Sequence, residues 1–166
     1  MMKLVASITY ICILGILSHY VGESLPRSIF VYTLFPFKPF FWEKNGKIYD
    51  KLQIKKWKTK LPDMSRIMKD MLPKRVEHGA TSEKIDLLLR ETCVAEAVHV
   101  ILCVLSLGVY FIWKNTIGII LALMCVIGNI PFILIQRYNR PHLVVLREHL
   151  LKRESRKKNE CSDSIV

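Results

Sequence analysis

Charge is missing from three long stretches of this 166-residue sequence. None occurs from Leu4 to Gly22 or from Thr116 to Gln136, and from Cys93 to Trp113 only Glu96 is charged. Each stretch is long enough to cross a hydrocarbon core of about 30 Å at about 1.5 Å per helical residue. Backbone polar groups must be satisfied inside lipid, which selects helices over an open sheet. Cysteine patterning is also lacking. Cys12, Cys93, Cys103 and Cys125 sit in apolar runs and Cys161 in the tail, with no Cys-x-x-Cys and no zinc spacing, so they read as packing residues. No Gly-x-Ser-x-Gly, P-loop, Gly-x-Gly-x-x-Gly or His-Glu-x-x-His motif occurs, so no familiar nucleophile elbow or nucleotide cradle is encoded.

What is present is apolar and basic at once. Hydrophobic residues make up 51% of the chain and the mean hydropathy is +0.26, yet 25 Lys and Arg face 14 Asp and Glu for a net charge of +11. The charges lie in blocks outside the apolar runs. Lys3 precedes the first run, fifteen basic residues lie between Glu23 and Glu91, Lys114 stands between the last two runs, and eight follow Ile135. The positive-inside rule then predicts a multi-pass protein of the cell membrane. It places residues 23–92 and the C-terminus in the cytoplasm, and the N-terminus and Trp113-Lys114-Asn115 outside. Basic residues flanking spans meet anionic lipid headgroups, and no nucleic-acid partner is expected. Lys3 and the apolar run behind it have the layout of a signal peptide. Tyr20 within Ser18-His19-Tyr20-Val21-Gly22 occupies a position where cleavage needs a small residue, so an uncleaved span is expected.

The expected architecture is all-α: one small membrane domain, 1–166, with three spans at about 4–22, 93–113 and 116–135. Interfacial amphipathic helices lie on the cytoplasmic side, and a basic helix and tail cover 140–166. Pro36 and Pro39 interrupt the aromatic stretch Phe30–Trp42, which suits an interfacial or shallow re-entrant segment, or a loop packed on the cytoplasmic part. Asp50–Leu61 alternates Leu52, Ile54, Trp57 and Leu61 with lysines, as a helix lying in the headgroup plane does. Asp63 is a candidate N-cap for a helix carrying Met64, Ile67, Met68 and Met71, and residues 73–80 read as a turn. From about Ser82 a helical pattern runs unbroken into the second span. Arg140-Pro141 predicts a bend, Leu143–Arg153 a separate amphipathic helix, and Arg156 onward a frayed tail.

Glu96 is the only carboxylate in any span, and His99 follows on the same helical face. An ionisable residue at mid-depth costs about 2.5–3.5 kcal/mol on insertion scales and is usually functional. One Glu-x-x-His copy is too few for a bundle metal site, so no metal is expected. A histidine oriented by a carboxylate suits general-base removal of a proton from a hydroxyl that attacks an activated ester. In the third span Asn129 lies six residues before Ile135, as His99 lies six after Cys93, so both sit about 9 Å below the same surface. Pro131 frees the carbonyl of Ile127, and Asn129 either uses that opening or reaches across to His99. Where the span leaves the membrane stands Gln136-Arg137-Tyr138-Asn139-Arg140-Pro141-His142, on the side of Glu91, Thr92 and Glu96. Its arginines read either as phosphate or carboxylate binders or as a stop-transfer anchor.

That run, preceded by Asn129-Ile130-Pro131, resembles the C-terminal signature of the glycosyl-4,4'-diaponeurosporenoate acyltransferase family, whose reaction completes the carotenoid staphyloxanthin. Phe41–Lys47, then Lys56-Trp57-Lys58 with Leu61-Pro62-Asp63, then Glu91-Thr92 with Ala95-Glu96 and His99, are similar to the same family in the same order. The resemblance covers about residues 22–145 and implies transfer of a fatty acyl group to a sugar hydroxyl of a membrane-anchored glycolipid or glycosylated isoprenoid. The donor would be a cytosolic thioester, on CoA or acyl carrier protein, with no other cofactor. It makes Glu96 and His99 the candidate orienter and base. Asn129, Gln136, Arg137, Tyr138, Asn139 and Arg140, with Glu91, become candidate substrate binders. Lys56, Trp57 and Lys58 become candidates for donor phosphates or headgroups. Two other classes fit the layout less well. A small membrane S-adenosylmethionine-dependent methyltransferase usually shows an Arg-His-Pro run that is missing here, and a non-catalytic accessory protein would need Glu96 and His99 only for folding.

Overall fold

A computed structural model describes residues 1–61 and 80–163; the expected Asp63-capped methionine helix and residues 73–79 of the expected turn lie outside the described residues. Every regular element described is helical. Among the described residues the α-helices are α1 (Met2–Ser24), α2 (Lys47–Lys51), α3 (Ile54–Trp57), α4 (Ser82–Ser106), α5 (Val109–Trp113) and α6 (Thr116–Asp163), with short 3-10 turns at Arg27–Ile29, Phe41–Gly46 and Lys58–Lys60. Three helical stretches, Met2–Ser24, Ser82–Trp113 and Thr116–Glu160, are long and apolar enough to cross a membrane.

The surface agrees with that reading. Ile8, Ile13, Ile16 and Leu17 of α1 and Ile117, Ile120, Leu123, Met124 and Ile127 of α6 are all exposed. Water-soluble monomers rarely leave contiguous apolar belts of this extent uncovered, whereas lipid covers them. Helices in lipid are therefore joined by polar contacts and close backbone approach. Trp113 Nε1 donates to Ser7 Oγ at 2.8 Å, and the Tyr10 hydroxyl donates to the Leu105 carbonyl at 2.9 Å. The second bond needs Gly108, where a Cβ would lie 2.3 Å from the Tyr10 oxygen. At the opposite end of α1, Arg27 donates to the carbonyls of Gly22, Glu23 and Leu25 and pairs with Glu91 of α4 at 2.6 Å.

The long pair α4 and α6 runs antiparallel and forms the spine. Thr81 caps α4 by accepting from the Lys84 amide. The Glu154 carboxylate of α6 accepts from both the amide and the hydroxyl of Ser82, at 2.9 and 2.6 Å. Beyond the apolar run ending at Ile135, Leu143, Val144, Leu146 and Leu150 pack on buried Ile85, Leu88 and Leu89.

This packing corrects the expected bend. Pro131 and Pro141 both lie inside α6, which continues unbroken to Asp163, so the predicted separate helix 143–153 and the predicted tail as far as Asp163 belong to one continuous helix. An interior proline costs about 3 kcal/mol, and the apolar seam against α4 outweighs it. Two other expectations change. The span 93–113 is interrupted at Leu107-Gly108, where tight turns separate α4 from α5. The basic segment 50–61 is two short helices and a turn, broken at Gln53 with φ 51°, and Leu52 points outward while Ile54 is fully buried. The aromatic stretch is a loop packed against α4, with Phe30 and Phe37 on Cys93 and Val94.

Gly108→Ala is expected to lower stability by about 1–3 kcal/mol, the usual cost of overpacking, because Tyr10 must move and lose its bond. Gly15→Ala, where nothing lies within 4 Å of the added carbon, should leave the Tm in detergent unchanged or raised. Equal Tm values for the two variants would show that the Tyr10 contact is unimportant.

Candidate active site

Helical spacing sets the site. Thr92, Glu96 and His99 lie at i, i+4 and i+7 on α4, and Asn129 and Gln136 at i and i+7 on the facing helix, with Arg137 and Arg140 one step round. Glu96 is 5% exposed and bridges both arginines: Oε1 accepts from Arg137 Nε at 2.7 Å, and Oε2 from Arg140 Nη2 at 2.6 Å. Arg137 also pairs with Glu43, itself 3% exposed, and donates to the Pro36 carbonyl at 2.7 Å. Arg140 donates to Thr92 Oγ1 at 3.1 Å and to the Phe37 carbonyl at 2.6 Å. Phe40 and Phe37 cover the two guanidinium groups. Every nitrogen of both guanidiniums thus has a protein acceptor, and two positive charges meet two negative ones.

The arginines were candidate substrate binders; the structure instead turns them inward, with Arg137 8% and Arg140 3% exposed. Glu43 was quoted only within a resembling stretch and was not singled out. The available signal was charge balance: two arginines beside a single intramembrane carboxylate require a second acid. Gly46 brings Glu43 into place, with φ 92° and room for only a hydrogen against Pro141 Cγ, 3.0 Å from an added Cβ. Tyr49 is buried beside this pair, and burial together with the Glu43 carboxylate raises its phenol well above the usual range, keeping it neutral.

His99 and Asn129 do meet. His99 Nδ1 lies 2.9 Å from Asn129 Oδ1, and the imidazole stacks on Phe132 with centroids 4.8 Å apart. Asn129 Nδ2 donates to the Cys125 carbonyl, so its oxygen faces the ring. That oxygen can only accept, so Nδ1 carries the hydrogen between them, and in the neutral form of the ring the lone pair is then on Nε2. The orienting contact on His99 is therefore Asn129, while both oxygens of Glu96 are given to arginine.

Beyond Ile135 a cavity of about 230 Å³ opens between α4, α6 and the Lys58–Lys60 turn. Lys58, Glu91, Gln136, Asn139 and His142 supply its polar walls, and Leu88 and Leu143 its apolar ones. Four of these were candidate binders; His142 was not, although it closes the same run. Lys58 Nζ donates to Asn139 Oδ1 at 2.9 Å and lies over the Tyr138 ring, and burial and then Lys55 lower its pKa. His142 Nδ1 lies 2.8 Å from the Tyr138 carbonyl, which puts its hydrogen there. Gln136 is 4% exposed and its Oε1 has no hydrogen-bond partner among the described residues, a state that costs about 1–3 kcal/mol. Trp57 and Tyr138 stand behind the wall, packed with Tyr49 and Ile54.

A family model described as glycosyl-4,4'-diaponeurosporenoate acyltransferase matches residues 32–149. Proteins of that name from Staphylococcus aureus strains bovine RF122 / ET3-1, N315 and USA300 are 31%, 30% and 30% identical over 137 residues, covering 82% of this chain and 82% of each relative. No solved structure matches.

Removing one member of a buried ion pair strands the other charge, so Glu96→Ala should lose about 3–5 kcal/mol of stability. Arg137→Lys should also lose stability, since an ammonium cannot serve Glu96, Glu43 and Pro36 in the same geometry. Unfolding in detergent monitored by circular dichroism reads both. An unchanged transition in Glu96→Ala would mean that the cluster is not a structural clamp.

Proposed function

Given that the chain belongs to the glycosyl-4,4'-diaponeurosporenoate acyltransferase family and is thus an acyltransferase, we propose that it moves a fatty acyl group from a cytosolic thioester to a hydroxyl of a glycosylated isoprenoid lipid. The relatives' name, which specifies a glycosyl carotenoid acceptor, supports that acceptor class. The family relation also favours this reading over a methyltransferase or an accessory subunit.

The observation that carries the catalytic assignment is the His99–Asn129 pair. In the proposed step His99 Nε2 takes the proton of the acceptor hydroxyl while Nδ1–H stays on Asn129. The hydroxyl oxygen bonds to the thioester carbonyl carbon, the C–S bond breaks, and the departing thiolate recovers the proton from the imidazolium. Glu96 acts through Arg137 and Arg140 as a positioning residue, holding α4 against α6 so that His99 and Asn129 stay in register. Gln136, Asn139, Lys58 and Glu91 are the proposed substrate contacts, and Arg137, Arg140, Tyr138 and Trp57 build the wall behind them. Fifteen basic residues between Glu23 and Glu91 and eight after Ile135 support a cytoplasmic location for this end of the bundle. Thioester donors would be available there.

Membranes supplied with labelled acyl donor and glycosyl carotenoid test the reading. His99→Ala should lose transfer by about 10²-fold or more, and Asn129→Leu should lower kcat with little change in KM. Full activity in His99→Ala would remove the proposed base. If the wild-type chain transferred label from methyl-labelled S-adenosylmethionine and none from any acyl donor, the function itself would be wrong.

A further inference from the structure

The cavity beyond Ile135 has a wall chemistry that the acyl-transfer step leaves unused. Gln136 and Asn139, one helical turn apart on α6, present two side-chain amides to it. The Asn139 oxygen is taken by Lys58, which leaves its amide NH2 as a donor toward a ligand, and the Gln136 oxygen is a buried acceptor with no partner among the described residues. His142 has Nδ1 taken by the Tyr138 carbonyl, which leaves Nε2 as its other polar atom. These groups call for a neutral ligand with both N–H donors and carbonyl acceptors. The volume, about 230 Å³, falls below the about 300–1,000 Å³ of most small-molecule pockets, so it suits a slender chain better than a bulky head. Outside the cavity the Lys58 segment exposes Lys51, Lys55, Lys56 and Lys60, a cationic rim. Asn139, Gln136 and Asn129 follow one another over about 15 Å of α6, the first two lining the cavity and the third holding His99.

We propose that this cavity holds the phosphopantetheine arm of the acyl donor, its amides against Gln136 and Asn139, its phosphate toward the exposed lysines, and its thioester end directed down α6 toward His99. This inference rests on the acyltransferase reading and adds the donor's path to it. The arm is common to acyl-CoA and to acylated carrier protein, so the cavity serves either source. A donor arriving from water meets the lysine rim first, whereas a lipid-anchored acceptor reaches His99 from the apolar side.

Binding of CoA, 4'-phosphopantetheine, holo-acyl carrier protein and methyl glucoside to the full chain in phosphatidylcholine nanodiscs tests this. CoA, 4'-phosphopantetheine or the holo-carrier protein should bind and methyl glucoside should not displace them; a preference between CoA and carrier protein identifies the source. Gln136→Leu and Asn139→Ala should each weaken binding of the arm by about tenfold, the loss expected for one net hydrogen bond. A Lys55→Ala/Lys56→Ala protein should weaken only phosphorylated probes, and less so in high salt. If both amide variants bind donor like wild type while acyl transfer proceeds, the cavity assignment is overturned and the enzyme assignment stands. If they instead raise the KM for the glycosyl acceptor with donor binding intact, the cavity belongs to the sugar and the inference fails. Wild-type protein that binds no arm-bearing probe and transfers no acyl group would remove the parent reading as well.

Discussion

One carboxylate, Glu96, accepts from two arginines of a neighbouring helix, and the geometry of the rest follows from the cost of breaking that contact. In a bilayer the hydrophobic effect does little to hold one helix against another, because lipid tails are as apolar as leucine. A buried ion pair is different: attraction roughly offsets desolvation when it forms, yet separating it strands charge in a low-dielectric medium. Arg137 Nε and Arg140 Nη2 occupy both Glu96 oxygens, so sliding α6 by one turn along α4 would break two contacts together. The clamp therefore fixes register. Register in turn lets Asn129 meet His99 toward the apolar side and lets Leu143, Val144 and Leu146 meet Ile85, Leu88 and Leu89 on the other.

The same cluster folds the connecting segment. Two arginines facing one carboxylate leave a net positive charge and unused N–H groups, and the loop between α1 and α2 supplies what is missing. Glu43 provides the second negative charge, and the Pro36 and Phe37 carbonyls accept the remaining donors. Phe37 and Phe40 then exclude water from above. A proline- and aromatic-rich loop with little regular structure is thus held by side chains of α6, which accounts for its lack of helix without loss of position. Gly46 lets the chain turn at Pro141 to deliver Glu43, so the two features that look most like breakers in sequence, Gly46 and Pro141, are packed against each other.

What could be read in the sequence depended on whether the relevant physics was local. Apolar run length gave the spans, and depth counted from the ends of two runs put His99 and Asn129 at one level, with their contact one of two alternatives that the structure selects. The partner of Glu96 could not be found that way. A carboxylate three residues before a histidine suggests a local pair, but arginines from forty residues away compete for its oxygens and win by charge. Pro141 misled for the same reason, since its local cost is smaller than the packing of 143–150 against α4, which only the fold reveals. In the basic segment the apolar positions implied one helix, and burial of Tyr49 and Ile54 against Tyr138 broke it at Gln53 instead. His142 closes the same run, but its place on the cavity wall depends on how α6 faces α4 and the Lys58 turn, which is not a local property.

With the proposed thioester donor, this acyltransferase faces a solvation problem before a chemical one, because one substrate is carried in water and the other in lipid. A site built from net charge would bind a polar donor well but repel the chain that the donor must deliver. Here the four charges cancel internally, and the cavity beside them is lined by two amides, a histidine and two leucines, with Lys58 held by Asn139 and Glu91 by Arg27. The exposed lysines are kept outside, where water screens them. Polarity therefore falls stepwise along α6, from lysines to amides to a single imidazole to an apolar helix face. Neutralising the arginines permits that gradient, because either guanidinium left unpaired beside the cavity would draw water to the level of His99.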